Sequence, residues 1–434
     1  MAKETQFGFS KKFKSLIYID PAYGFVGFLL FISLGVSCFF YLEHESFAGV
    51  LSSYGVSFAQ MKYNDSSSSS SSSSKNERVG FLDQSGDKCN IFEGNWVWDQ
   101  DYPLYLSQNC SLLENGYRCS ENKRPDNFYT KWRWQPKDCN LPRFDAGKML
   151  EKLRNKRVVF VGDSIGRNQW ASLLCMLSTA ISNKSSIYEV NGNPITKHTR
   201  FLIFKFESFN CTVEYYRSPF LVVQSHPPFG APKEVRYTLK LDKITWTSGS
   251  WRDADLVILN SGHWWTDGKT VNVGTFFEEG DELKMNMSVG TAFRRAIETV
   301  VNWIGTEMNM EKTLVFFRSY SPAHFRGGNW NTGGRCHLET LPDLGSFTIS
   351  EPHNDIIMDV LAKRSHEPHV KKLDILSVTR ATMARKDGHI SIYKSWGLST
   401  LNHQDCSHWC LPGVPDTWNE LLYAHFLKHE LNRA

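Results

Sequence analysis

Apolar positions follow three patterns along the chain, and each predicts a different element. The first is continuous: from Tyr23 to Leu42 no charged residue interrupts a run rich in Phe, Leu, Val and Ile. That length matches one helical passage through a bilayer, so a transmembrane helix is predicted over 23–42. A cleaved signal peptide is the alternative, but its small-residue cleavage pattern is missing. The second pattern is a set of short runs rich in β-branched and aromatic residues. Strands are predicted at Arg157–Val161, Phe201–Phe206, Leu256–Asn260, Thr313–Arg318 and Leu373–Val378. The third repeats at helical spacing: Phe293, Ile297, Val300, Val301 and Ile304 predict a helix over Thr291–Met308. Short strands alternating with amphipathic helices imply an α/β fold with a mostly parallel sheet covered on both faces. Ligands of such sheets bind beyond the carboxyl ends of the strands.

Elsewhere the pattern is absent or irregular. Residues 1–22 carry Lys3, Lys11, Lys12 and Lys14 against Glu4 and Asp20, while Glu43 and Glu45 follow the apolar run. The positive side stays cytosolic, which predicts a cytosolic tail, a signal anchor at 23–42 and a lumenal remainder. Residues 43–88 contain an unbroken serine run, Ser66 to Ser74, too polar to form a core, and read as a disordered stem. Residues 89–144 are rich in Cys and Trp and short of apolar periodicity, a small lobe that needs cross-links. Within it Trp132 and Trp134 alternate with Lys131 and Arg133, which suits either lobe packing or one wall of a sugar groove. Residues 145–434 carry the predicted strands and form the larger domain.

Composition narrows the function. The net charge is only +4 over 434 residues, with no basic stripe, finger or RNA-binding signature, so nucleic acid is not expected as a partner. Of ten cysteines, Cys38 lies in the apolar run and nine lie beyond it, so one is left over unless it pairs between chains. Five Asn-x-Ser/Thr sequons, at Asn64, Asn109, Asn183, Asn210 and Asn286, agree with a secretory route. Cys406 and Cys410 flank His408, but no C-x-x-C pair or second ligand cluster accompanies them, and no metal site is predicted.

The chemistry gathers at the end of the strand beginning at Arg157, which runs into Gly162-Asp163-Ser164 before Arg167-Asn168-Gln169-Trp170. A serine at a strand's carboxyl end and a helix's amino end has backbone N–H groups and the helix dipole at hand for an oxyanion. Asp163 and Ser164 would equally serve as a plain helix cap. Far downstream, Asp405-Cys406-Ser407-His408 sets an acid three residues before an imidazole, the spacing that lets Asp405 orient His408 as base for Ser164. Asn260-Ser261-Gly262-His263-Trp264-Trp265 follows another predicted strand and faces the same cleft. Asn260 is a candidate oxyanion donor, and Trp264 and Trp265 are candidates for stacking on sugar rings. His263 has no neighbouring acid in the sequence and is read as groove lining or a packed imidazole. The long loop Arg318–Arg335 offers Arg326 or Arg335 to an acidic sugar, or to bracing the loop itself.

Taken together, these segments resemble the plant trichome-birefringence-like family of polysaccharide O-acetyltransferases. The resemblance rests on Gly162-Asp163-Ser164 with Arg167-Asn168-Gln169, on Asn260 through Trp265, on Phe325-Arg326-Gly327-Gly328 with Trp330, on Asp405 through Gly413, and on the Cys-rich segment from Cys89 to Phe144. It implies an SGNH-hydrolase-like α/β/α sandwich with a disulfide-stapled N-terminal lobe, paired as Cys89–Cys139, Cys110–Cys175, Cys119–Cys410 and Cys336–Cys406, with Cys211 left over. It implies Ser164, Asp405 and His408 as catalytic, Asn260 and Gly262 at the oxyanion, and Arg167 beside them as a binding residue. The implied activity is transfer of acetyl, through an acetyl-Ser164, to hydroxyls of a cell-wall polysaccharide (xylan, mannan, xyloglucan or pectin) in the Golgi lumen. No bound cofactor is expected; the acetyl donor would come from separate membrane proteins. A carbohydrate esterase using water as acceptor, or a non-catalytic wall-polysaccharide binder, are the alternatives.

Overall fold

A computed structural model describes residues 78–345, 351–394 and 403–433. The expected cytosolic tail, anchor and most of the expected stem, with the sequon at Asn64, lie outside the described residues. Among the described residues no helix is long and apolar enough to cross a membrane.

The central sheet has seven strands: β1 (Arg157–Gly162), β2 (Ile187–Glu189), β3 (Phe201–Phe206), β4 (Cys211–Arg217), β5 (Leu256–Leu259), β6 (Leu314–Arg318) and β7 (Leu373–Leu376). Their spatial order is β7-β6-β5-β1-β4-β3-β2. β1 lies between β5 and β4 and is parallel to both, with Val161 opposite Leu259 and Tyr216. Its side chains go alternately to two cores. Val158 and Phe160 join the cluster that holds helices α1 (Ser164–Ser178) and α4 (Val414–Arg433); Val159 and Val161 join the one that holds α2 (Val289–Glu307) and α3 (Pro352–Lys363). The sheet is thus sandwiched between helical layers, and a strand buried on both faces reads as continuous apolar sequence.

The sheet is mixed, which corrects the expectation of a mostly parallel one. β3 is antiparallel to β4, and β2 antiparallel to β3. The cause is the connection from Phe206 to Cys211: one 3-10 turn, Glu207–Phe209, closes on Asn210 in the left-handed region at φ 50°. So short a link permits only antiparallel return. A second, four-stranded mixed sheet is built from Val222–Ser225, Tyr237–Ile244, Thr275–Glu279 and Glu282–Lys284.

Helix α2 begins at a Ser288 cap that accepts from the Thr291 N–H. It buries Phe293, Ile297, Val300, Val301 and Ile304 on one stripe. Each such side chain contributes about 1.5–3 kcal/mol by leaving water. Residues 89–144 share a core with the sheet. Strands Gly94–Trp98 and Trp132–Pro136 pair antiparallel, with Trp96 opposite Trp134 and Trp98 opposite Trp132. Trp132 and Trp134 are buried, and the Trp134 indole donates to the Ile91 carbonyl at 2.9 Å, so both pack the lobe instead of walling a groove. Trp96 donates to the Ala381 carbonyl at 2.8 Å and lies 4.3 Å beneath the Arg385 guanidinium, which joins the lobe to the larger domain.

Four disulfides form: Cys89–Cys139, Cys110–Cys175, Cys119–Cys410 and Cys336–Cys406. Cys211 is free and buried, and burial pushes its thiol up to about 11. The Asn109, Asn183, Asn210 and Asn286 side chains belong to exposed residues.

Candidate active site

The chain runs from β1 to β2, β3 and β4 on one side of the sheet and to β5, β6 and β7 on the other. The carboxyl end of β1 is therefore a topological switch point, where a crevice opens. Ser164 is the first residue of α1 and stands at that point. Asp163 caps the helix: its Oδ1 accepts from the N–H groups of Ile165 at 2.9 Å and Gly166 at 3.4 Å. Asn260, at the end of β5, donates its Nδ2 to the same oxygen at 2.6 Å. The Asn260 carboxamide fits only because its neighbours lack side chains. A Cβ on Gly162 or Gly166 would fall 2.1 or 2.0 Å from its Oδ1.

Asp163 is fully buried, and burial alone would push its carboxyl up. The His263 imidazole, the Arg318 guanidinium and the Asn260 amide outweigh that and hold it well below the usual carboxylate range. His263 Nδ1 lies 3.6 Å from Asp163 Oδ2, which corrects the expectation that His263 has no acid beside it. The acid comes from across the sheet, from β1 to β5. His263 also stacks on Tyr320 with ring centres 4.5 Å apart. Through Asp163 the imidazole bears on the cap of α1.

His408 and Asp405 sit on a short strand, Asp405–Trp409, paired antiparallel with His389–Ser391. The Asp405 carboxylate contacts His408 Nδ1 at 2.9 Å and 3.0 Å and accepts the backbone N–H groups of Ser407 and His408. This fixes the ring with Nε2 free for chemistry. Burial pulls the imidazole down, but the Asp405 charge and hydrogen bond outweigh it and raise His408 above its ordinary value. Asp405 is correspondingly depressed despite its burial.

One side chain of α1 bonds this strand directly. Asn168 accepts from the Trp409 N–H at 2.7 Å and donates to the Trp409 carbonyl at 3.2 Å, so it pairs with that backbone as another strand would. One helical turn separates Asn168 from Ser164, and Trp409 directly follows His408. The disulfides at Cys406 and Cys410 hold the strand on both sides. Closing the 291-residue loop of Cys119–Cys410 restricts the unfolded chain by on the order of 5 kcal/mol. Farther along α1, Ser172 donates to Asp416 at 2.6 Å, and burial pushes that carboxyl up to about 7.

Asn168→Ala should therefore cost on the order of a hundredfold in kcat, because misplacing a catalytic group by about 1 Å has that effect. Steady-state kinetics beside a thermal melt checks this: a loss of activity is expected with the fold intact.

Ser164, Asp405 and His408 line one cleft of about 750 Å³. Arg167, Tyr215, Arg217, Lys197, His198 and Lys394 line it too, with Glu114 and Tyr117 from the lobe. Arg167 is nine-tenths buried; its Nη2 lies 3.2 Å from Glu114, and its Nε has no hydrogen-bond partner. The other expected binding residues are distributed differently. Asn260 is buried against Asp163. Gly262, at φ 146°, is pressed on Tyr320, whose ring a Cβ would meet at 2.7 Å. Trp265 is buried and donates to Ser261 Oγ at 2.9 Å, a core residue and not a sugar platform. Trp264 is half-buried, with the Arg217 guanidinium 5.1 Å from its ring. Arg326 pairs with Glu339 at 2.6 Å, and its backbone bridges to Arg335, so it braces its own loop. Sequence reasoning missed Glu114, Tyr117, Lys197, Arg217 and Lys394, which come from loops and strand ends without a motif. Among the described residues no group of acids, histidines or cysteines is arranged to hold a metal ion.

Ser164 at a helix start and a His408 imidazole oriented by the Asp405 carboxylate thus share one cleft on an α/β/α scaffold. The comparisons give the class of this scaffold, an acyl-esterase family. The profile of the PC-Esterase family, described as a GDSL/SGNH-like acyl-esterase family found in Pmr5 and Cas1p, matches residues 141–425, and that of the PMR5 N-terminal domain matches 87–140. The chain belongs to the trichome birefringence-like family. It is 48% identical to the protein trichome birefringence-like 9 of Arabidopsis thaliana over 364 residues, covering 81% of this chain and 87% of that protein. To trichome birefringence-like 6 of the same plant it is 42% identical, covering 79% and 71%. To trichome birefringence-like 31 it is 38% identical, covering 81% and 85%.

Proposed function

We propose that this chain is a polysaccharide O-acetyltransferase working by double displacement. The observation that carries the reading is the cleft shared by Ser164 and the Asp405–His408 pair. His408 Nε2 takes the Ser164 proton as Oγ attacks the carbonyl carbon of an acetyl donor. The donor's leaving group departs with that proton, and acetyl-Ser164 remains. An acceptor hydroxyl then gives its proton to His408 and attacks the acetyl carbon; Ser164 leaves and recovers the proton. With the Ile165 and Gly166 amides engaged by Asp163, the Ser164 N–H and the Arg167 guanidinium are the donors for the oxyanion.

The acceptor is a wall polysaccharide, and the lining favours an acidic one such as a pectic backbone. Lys197, Arg217 and Lys394 exceed the negative groups, since Glu114 faces Arg167 and Asp405 faces His408. Arg217→Ala should raise KM for a uronate-containing acceptor roughly tenfold and leave a carboxyl-reduced acceptor unchanged. The chain works as a type II Golgi membrane protein, with 23–42 as anchor and 43–77 as stem, since Val79–Gly80 pairs with Cys139–Asn140 and Phe81 is buried, which makes 78–88 part of the lobe and not of the stem; its donor arrives through membrane partners.

The family description favours a second reading, a carbohydrate esterase with water as acceptor. Incubation with an artificial acetyl donor and bare or acetylated oligosaccharides separates the two. Net acetylation supports the transferase; net deacetylation overturns it.

A further inference from the structure

Beyond the mouth of the cleft, aromatic rings and cations alternate. Arg217 lines the cleft and lies 5.1 Å from the ring of Trp264. Lys269 Nζ lies 5.4 Å from Trp264 on one side and 3.7 Å from the ring centre of Trp330 on the other. The chain of contacts starting from the cleft-lining Arg217 is therefore Arg217, Trp264, Lys269, Trp330. Two of these residues come from the loop after β5, one from the end of β4 and one from the long loop after β6. The core does not need the last of them. Trp330 is 46% exposed, unlike the buried Trp265, and Gly268 lies flat at its edge, where a Cβ would be 3.5 Å from Cζ2.

We propose that this ladder is an extended subsite for an acidic polysaccharide, carrying acceptor sugars that lie beyond the one being acetylated. The proposal rests on the transferase reading for the identity of the reacting sugar, but it concerns binding and not chemistry. Sugar rings present C–H faces that pack on indoles, and their hydroxyls remain free for solvent. Uronate carboxylates need cations at intervals, which Arg217 and Lys269 supply. An exposed indole with a cation over one face keeps its other face open for such a ring, and the cation is held in place by the indole. Partial burial lowers the pKa of Lys269, because its ammonium has lost water contacts that a carboxylate would replace. A neutral glycan would use the indoles alone and leave both cations unmatched.

The test is binding and turnover of galacturonide oligomers of increasing length by the full chain, its Trp330→Ala variant and its Lys269→Ala variant. For wild type, Kd and KM should fall as the oligomer lengthens. In either variant the longest oligomers should bind roughly five- to tenfold more weakly, while the shortest bind as before. The kcat and the hydrolysis of 4-nitrophenyl acetate should not change, because neither residue touches the reacting atoms. Neutral xylan oligomers should show no effect of Lys269→Ala. Long acidic oligomers binding equally well to wild type and both variants would overturn the proposal. So would loss of length dependence for neutral and acidic oligomers alike in Lys269→Ala. Calorimetry reads the binding directly, so a chain that binds the oligomers without acetylating them would overturn the transferase reading and leave the subsite standing.

Discussion

Under the proposed mechanism Ser164→Ala should abolish transfer, with kcat lower by at least roughly ten-thousandfold, as for loss of a nucleophile in a triad, while the fold and the binding of acceptor are kept. The change removes one oxygen at a half-exposed helix start. The cap that maintains the helix belongs to Asp163, whose Oδ1 bonds to Ile165, Gly166 and Asn260 do not involve the Ser164 hydroxyl. The melting temperature should therefore stay close to that of wild type. A serine that served only as a cap would behave otherwise, with some loss of stability and little of activity. Thermal melts beside initial-rate assays distinguish the two.

Asp405→Asn should give the second large loss, about ten-thousandfold in kcat by analogy with triads whose acid is replaced by its amide. The carboxylate holds His408 with Nδ1–H toward itself and Nε2 toward the cleft. An amide in its place can present N–H to Nδ1 and select the wrong tautomer. It also removes the charge that raises His408. In wild type the base must be neutral, so activity should rise with pH through a midpoint above the ordinary histidine value. In Asp405→Asn the residual activity should show that midpoint moved to lower pH. The carboxylate also accepts two backbone N–H groups of its own turn, at 3.2 Å and 3.0 Å, so a modest stability loss accompanies the change. A pH–rate profile of both proteins checks the direction: an unmoved midpoint would assign it to another group.

Parts of this molecule can be read directly from its residues. β1 and α2 fall where the apolar spacing places them, because strands buried on both faces and helices with one apolar stripe leave clear patterns. Ser164 and the Asp405–His408 pair stand out because strand-end and single-turn geometries are local. What is not local is not readable. The antiparallel return into β4 depends on Asn210 taking a left-handed conformation in a four-residue link, and nothing in the apolar spacing of β3 and β4 reports it. The pairing of Asn168 with Trp409 joins residues 241 apart in the chain. Asn168 looks like any polar residue on a helix until the strand it clamps is in place. The same holds for Asp163 and His263, which meet only because β1 and β5 are neighbours. Trp264 and Trp265 are adjacent and alike in the sequence, yet one faces the cation ladder and the other the core. Alternation along an irregular loop does not reveal which.

The most direct test of the central claim, that Ser164 and His408 act as one proton-transfer line, is the location of the acetyl group during turnover. Wild-type protein is mixed with an isotopically labelled artificial acetyl donor, quenched before acceptor is added, and mapped by peptide mass spectrometry. The account predicts label on Ser164, absent from Asp405→Asn over the same interval and discharged from wild type when acceptor is supplied. Label on another residue, or rapid transfer with Ser164 never labelled, would contradict it.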